Sequence, residues 1–301
     1  MGADERGLEQ LSRSARPEAA KSAATGAAEG RQELRFARSA RFVLSTGNLS
    51  GEMIKFPPPV ARQIERVLRL RPGQVVTVVL PDGGSADQAV GEEYAVKLEV
   101  VSASAVCGRV LGPVDRFTEP FLSVYLLQAL LRGDRTELVV QKATELGVAA
   151  IVPAVTVRTV VRLSPATAGD RRPRWQRIAQ EAAEQSLRLR VPPVYPPAPF
   201  PEALRAAREK WPGSELVMLW EGEREVGLTD LFPPARLGGQ ERHPGVMLLL
   251  GPEGGWDPAE VELVRSMGGK TASLGMRTLR AETAALVAVT LVLAAAGDIG
   301  R

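Results

Sequence analysis

Three stretches of this chain carry residues of a type and spacing that could do chemistry. The first is LLLGPEGGWDPAE (248–260), where an apolar run stops at Gly251-Pro252-Glu253-Gly254-Gly255 and a polar, helix-like stretch follows. Glycine admits positive φ and lets a ligand approach the backbone closely, so this loop is either a tight turn or a cradle. It lacks the spacing of a phosphate cradle. No Lys or Ser/Thr follows the glycines as in a Walker A loop, and G-x-G-x-x-G is absent. The next helix carries its own cap, with Asp257 as N-cap, Pro258 at N1 and Glu260 at N3. Side chains therefore occupy its first amides, which makes them poor anion receptors. The loop follows the carboxyl end of a buried-type strand, where open α/β sheets bind ligands. A flat neutral group held by backbone N–H and C=O, such as an adenine, would suit it. On these residues alone, turn and ligand site both stay open.

The second stretch is SLGMRTLRAETAALVAVTLVL (273–293), a short strand and turn leading into an apolar helix, with Arg280 and Glu282 beside the helix start. The same two residues are equally readable as a partly exposed ion pair at a helix end. The third is Arg158–Arg190, which holds eight arginines (158, 162, 171, 172, 174, 177, 188, 190) against three acids (Asp170, Glu181, Glu184). Every base there is Arg, whose planar fork suits bidentate phosphate contact. Residues 34–118 are also net +3, from 11 basic and 8 acidic side chains. These features point to RNA, against the plainer reading of a solvated helix face.

The whole chain narrows the chemistry further. Its 301 residues suggest two domains, and 45% apolar with 24% charged residues is an ordinary soluble balance. Aromatics make up only 5%, which argues against a face of stacked rings. The net charge of +3 is mild evidence for an anionic partner. One cysteine (Cys107) and one histidine (His243) rule out an internal disulfide and a Cys/His zinc site, and fit a reducing, cytoplasmic compartment. A Ser-His-Asp triad would have to use His243, which has no nucleophile elbow nearby. No metal is expected. The 13-residue apolar run 284–296 is too short to span a bilayer and reads as a core or subunit-interface helix. Residues 1–37 lack a signal-peptide segment and read as a disordered tail.

These stretches must be positioned by two kinds of element. From Arg35 to Leu111, short β-branched runs (41–45, 75–80, 94–102, 106–112) alternate with turns and read as a small barrel. One helix at 58–73 places Val60, Ile64, Val67 and Leu68 on one side and Arg62, Arg66 and Arg69 on the other. After a linker at 113–120 the rhythm changes to strand–helix alternation. Strands are expected at 122–130, 149–155, 215–223, 245–255 and 270–275, helices at 135–148, 173–190 and the terminal run, and a Pro-rich loop at PPVYPPAPFPEAL. Such alternation predicts a parallel sheet covered by helices.

GPEGGWDPAEVEL, LGMRTLRAETA, QKATELGV (141–148) and RWQRIAQEAAEQSLR (174–188) together resemble the RsmE-type ribosomal RNA methyltransferases of the SPOUT, or trefoil-knotted, superfamily. The resemblance covers about residues 38–298. It implies an N-terminal PUA-like β-barrel (38–112) and an α/β knotted (SPOUT) methyltransferase domain (121–301). It further implies a cytoplasmic homodimer that transfers a methyl group from S-adenosylmethionine to N3 of a uridine in 16S ribosomal RNA, free or in the assembled small subunit. The cofactor pocket would comprise Leu219, Trp220 and Glu221; Leu250, Gly251, Pro252, Glu253, Gly254 and Gly255; and Ser273, Leu274, Gly275, Leu279, Arg280, Thr283 and Ala284. Glu282 and Glu253 are the candidate bases, and Arg280 the candidate partner of the imidate charge. RNA contacts would fall to Arg41, Arg62, Arg66, Arg69, Arg162, Arg171, Arg172, Arg174 and Arg188. Many relatives carry histidines where this chain has Arg62 and Gln63. The alternatives are a ribose 2′-O-methyltransferase of the same superfamily and a non-catalytic RNA-binding assembly factor.

Overall fold

The computed structural model describes residues 40–80, 91–102, 105–114, 118–161, 165–233 and 244–300, without the side chains of 165–170. The N-terminal stretch 1–37, Arg162 and His243 lie outside the described residues. The chain divides into two compact units, the first ending at Phe117 and the second running from Thr118.

The first unit is a six-stranded sheet of β1 (Arg41–Val43), β2 (Leu49–Ser50), β3 (Met53–Lys55), β4 (Val75–Leu80), β5 (Glu92–Val101) and β6 (Val106–Pro113), in the order β1-β4-β5-β6-β3-β2. Its pairs are antiparallel except β1 with β4. Phe42, Ile54, Phe56, Ile64, Val76, Val78, Val96 and Leu98 fill the core. The sequence pattern missed β2 and β3, which are too short for an alternation to register. The expected helix is also shorter. It runs as α1 (Pro58–Arg62) and then as a π-turn over Gln63–Val67, closed by Leu68 N–H to Gln63 O. The wider turn rotates the apolar face: Ile64 stays buried, while Val67 is 73% exposed. Arg62, Arg66 and Arg69 are exposed. Arg41, expected on RNA, is instead buried, with Nε 2.9 Å from Glu93 Oε1. It is an internal ion pair and presents no charge to a ligand.

The second unit is a parallel sheet of β7 (Val124–Ala129), β8 (Ala150–Val155), β9 (Ala198–Pro199), β10 (Glu215–Leu219), β11 (Val246–Leu250) and β12 (Lys270–Ala272), ordered β12-β10-β11-β7-β8-β9. Helices cover both faces, which explains the unbroken apolar strands. Along β11, Val246, Leu248 and Leu250 pack with α2 (Arg135–Leu146), α3 (Pro165–Gln185) and α7 (Ala281–Ala296). Met247 and Leu249 face α4 (Phe200–Lys210) and α6 (Pro258–Ser266). A one-turn helix, α5 (Leu228–Leu231), packs on α7. Among the described residues, no helix is long and apolar enough to cross a membrane.

Two expectations change in this unit. The Pro-rich loop ends in helix α4, because Pro201 stands in the first turn, where its missing N–H costs nothing. The long helix begins earlier than expected and ends at Gln185, after which Leu187 takes a positive φ of 62°. Arg188 therefore leaves the helix face and turns inward. Its Nη2 lies 2.7 Å from Glu119 Oε2, and its Nη1 donates to the carbonyls of Thr144 and Val148. Glu119 Oε1 also accepts the Leu189 and Arg190 amides. Arg188 is thus withdrawn from the RNA-contacting set: it is 2% exposed and fully committed to architecture. Removing one partner of such a buried pair strands the other without water. Glu119→Ala is expected to destabilise the fold by about 3–5 kcal/mol in urea unfolding.

Candidate active site

Three adjacent strands end at one level. Leu219 of β10 is in register with Leu250 of β11 on one side and Ala272 of β12 on the other. The loops that leave these ends, 220–227, 251–257 and 273–280, enclose a cavity of about 710 Å³. That is the size of a small-molecule site.

Backbone bonds and buried side chains fix the loops. The Trp256 indole N–H reaches back 2.8 Å to the Leu219 carbonyl and ties the second loop to the end of β10. Gly255 N–H closes on Pro252 O. Gly255 has φ +71°, and a Cβ there would collide with the Glu221 carboxylate. This loop therefore needs glycine for its own fold. Behind it the capping box is complete: Asp257 accepts Ala259 N–H, and Glu260 accepts Asp257 N–H. The other Glu260 oxygen takes Val157 N–H, so the start of α6 is pinned to the loop after β8. Arg158 of that loop donates to Gly254 O at 3.3 Å.

The third loop is held by the first. Ser273 N–H donates to Val226 O, and Leu228 N–H donates to Ser273 O. Glu223 shapes the first loop by accepting the Arg224, Glu225 and Val226 amides on Oε1 and the Thr271 hydroxyl on Oε2, at 2.6 Å.

Of the expected pocket residues, Leu219, Trp220, Glu221, Leu250 to Gly255, Ser273, Leu274, Gly275, Leu279, Arg280 and Ala284 line the cavity. Thr283 does not: it is exposed, one helical step off the face that carries Ala281 and Ala284. Glu282 is not a lining residue either. It is buried behind the wall, and its Oε2 has no hydrogen-bond partner among the described residues.

Sequence reasoning missed Arg135, Arg224, Trp256 and Arg277, which also line the cavity. Arg135 is the informative omission. From α2 it places Nη1 3.2 Å from Glu253 Oε1 and Nε 3.7 Å from Glu282 Oε1, and so joins the two candidate carboxylates. No local pattern marks it, because its partners lie more than a hundred residues away. The arginines expected on RNA fare unevenly. Arg174 pairs with Glu137 at 2.7 Å, and Arg172 donates to Val194 O, while Arg171 is half-buried. Among the described residues, no group of three or more His, Cys, Asp or Glu side chains is placed to hold a metal.

A family model described as an RNA methyltransferase domain matches residues 118–293. The ribosomal RNA small subunit methyltransferase E of Bacillus subtilis is 33% identical over 229 residues, 76% of this chain and 85% of that protein. Its counterpart from Synechocystis is 32% identical over 260 residues, covering 85% of this chain and 78% of the relative. A crystal structure of the Neisseria gonorrhoeae enzyme of that name, bound to S-adenosyl methionine, superposes with TM-score 0.68 at 33% identity over 84% of this chain and 96% of that one. Fold and cavity thus define an α/β RNA methyltransferase of the SPOUT class. Within that class, the chain belongs to the ribosomal RNA small subunit methyltransferase E family.

The hydrogen bonds to Glu223, first of all that from Thr271, hold its carboxyl well below its ordinary 4.5, at about 2. A carboxyl depressed by folding adds stability above its unfolded pKa and loses that contribution as the pH falls through the folded value. The melting-temperature gap between wild type and Glu223→Gln is therefore expected to be full above pH 4.5 and to close as the pH approaches 2.

Proposed function

We propose that the cavity binds S-adenosylmethionine and that this chain methylates N3 of a uridine in small-subunit ribosomal RNA. One observation carries the reading: backbone edges at three level strand ends surround a cavity in a chain of this family. The residues present fit the cofactor. The wall from Leu250 to Gly255 offers amides and carbonyls to an adenine. When bound, the cofactor supplies an electrophilic methyl group on a sulfonium and needs no metal.

The remaining work falls to side chains. Uracil N3 carries an imide proton, and in a paired helix it is blocked, so the target base must be unpaired or flipped out. Of the two candidate bases, Glu282 has a buried, uncommitted Oε2. Oε1 of Glu253 already accepts Arg132 N–H and Arg135. Only Glu253 of the two lines the cavity, so it is the proton acceptor of this reading, and Glu282, behind the wall, faces Arg135 from the other side. Arg280 lines the cavity and offsets the imidate charge left on the base.

The first unit is read as a PUA-like RNA-binding barrel, supported by the exposed Arg62, Arg66 and Arg69 around its π-turn. On the second unit, Arg171, Arg172 and Arg174 are the phosphate-contacting set, together with Arg162. The trefoil knot of this reading rests on the family; within it, Ser273 bonds to the Val226–Leu228 segment and α5 packs on α7. Homodimerisation is supported by α7, where Leu286, Val287 and Leu291 remain half-exposed.

Primer extension on ribosomal RNA tests the activity, because an N3-methyl group stops the polymerase. A stop that vanishes when the gene is deleted supports the reading, and one that persists overturns it. Arg280→Ala is expected to lower single-turnover transfer at saturating cofactor by about 10²-fold.

A further inference from the structure

We propose that Arg224 and Arg277 form a phosphate clamp at the rim of the cavity, each holding one of the backbone phosphates that flank the target nucleotide. The inference rests on the methyltransferase reading and adds to it the place on the second unit where the RNA backbone is gripped.

The charge around the cavity motivates it. Four arginines and two glutamates line the space: Arg135, Arg224, Arg277 and Arg280 with Glu221 and Glu253. Arg135 is engaged by Glu253 at 3.2 Å and by Glu282, behind the wall, at 3.7 Å. The other three guanidiniums enter no ion pair or hydrogen bond among the described residues. Of the lining acids, Glu221 alone is left to oppose them. S-adenosylmethionine does not restore the balance. Its carboxylate is offset by its ammonium, and its sulfonium leaves it a net cation. A wall with surplus positive charge around a cationic ligand calls for an anion from elsewhere. Arg280 serves the imidate charge, which leaves Arg224 and Arg277 for that anion.

The RNA backbone supplies it. A nucleotide is short, so a uracil inside the cavity brings the phosphates on either side of it to the rim. Arg224 and Arg277 are exposed and stand on different rim loops, 220–227 and 273–280. Those loops are zipped together: Ser273 N–H donates to Val226 O at 2.8 Å, and Leu228 N–H donates to Ser273 O at 2.9 Å. Each is also fixed from within. Glu223 accepts the amides of Arg224, Glu225 and Val226, and Ser273 Oγ accepts Gly275 N–H at 3.1 Å. The backbone beneath the two arginines is therefore set before any ligand arrives, while their forks stay free to pair. A planar fork matches two phosphate oxygens at once. Such a contact positions the nucleotide without reading its base.

Binding to small ribosomal subunits from a strain lacking the gene, over a potassium chloride series, tests the clamp. Each phosphate contact contributes about 0.7–0.9 to the slope of log K against log salt concentration. Arg224→Gln and Arg277→Gln are each expected to flatten the wild-type slope by about that amount. The double variant should flatten it roughly twice as much, since each arginine grips its own phosphate. Arg224→Lys and Arg277→Lys keep the charge and should keep the slope. Arg205→Gln, exposed on α4 and not a lining residue, is the control and should also keep it.

Cofactor Kd, measured by calorimetry on the same proteins, separates RNA phosphate from the cofactor carboxylate. Removing a cation from the wall around a net cation leaves that Kd unchanged or tighter. Weaker cofactor binding in either Gln variant assigns that arginine to the carboxylate and overturns the clamp. An unchanged slope in either Gln variant overturns it too, as does an equal loss in Arg205→Gln, which marks diffuse attraction only. If the wild type itself neither binds S-adenosylmethionine nor methylates these subunits, the underlying reading fails and the clamp falls with it. That failure is read on the wild type alone, which keeps it apart from failure of the clamp.

Discussion

The site depends on strand register. Leu219, Leu250 and Ala272 end neighbouring parallel strands at the same level, so three loops leave the sheet side by side and must share one space. A parallel sheet buried on both faces fixes that register, because a slip of one residue would turn each strand's apolar sets to the wrong layer. The loops are crowded as a result. Trp256 spans from one loop to the strand beneath the next, Ser273 is held between two carbonyl–amide bonds, and Gly255 lies where a side chain would strike Glu221. Small residues are needed there by the packing of loop on loop, and the cavity is the space this packing leaves.

Much of this was legible in the chain because it is local. The capping box of α6 occupies four consecutive residues, and its hydrogen bonds are those its spacing predicts. The buried strands announce themselves by unbroken apolar runs, and the glycine loop by its composition. Helix α4 was missed because Pro199 and Pro201 read as loop markers, although Pro is well placed in a first turn. The π-turn of the first unit was illegible for another reason: one extra residue in a turn rotates the apolar face without changing the composition.

Charge was the least reliable signal. Counting arginines gave Arg41 and Arg188 the same weight as Arg62, yet the first two are internal and the third is exposed. A buried arginine differs from an exposed one only in having an acid and carbonyls folded around it, and those partners are distant in sequence. Glu93 lies 52 residues from Arg41, and Glu119 lies 69 from Arg188. Arg135 escaped notice for the same reason. The chemistry of an arginine is set by its partners, and the topology brings those partners together.

The Glu119 carboxylate has a practical meaning for anyone who divides this chain. It lies two residues past Phe117, where the first compact unit ends, yet it anchors the segment after α3 and, through Arg188, the end of α2. A fragment cut for convenience at the first residue of β7 would contain every strand and helix of the second unit. It would also carry a stranded internal cation beneath the helix that bears Arg135. The working edge of the domain is therefore set by an ion pair and lies upstream of its first regular element.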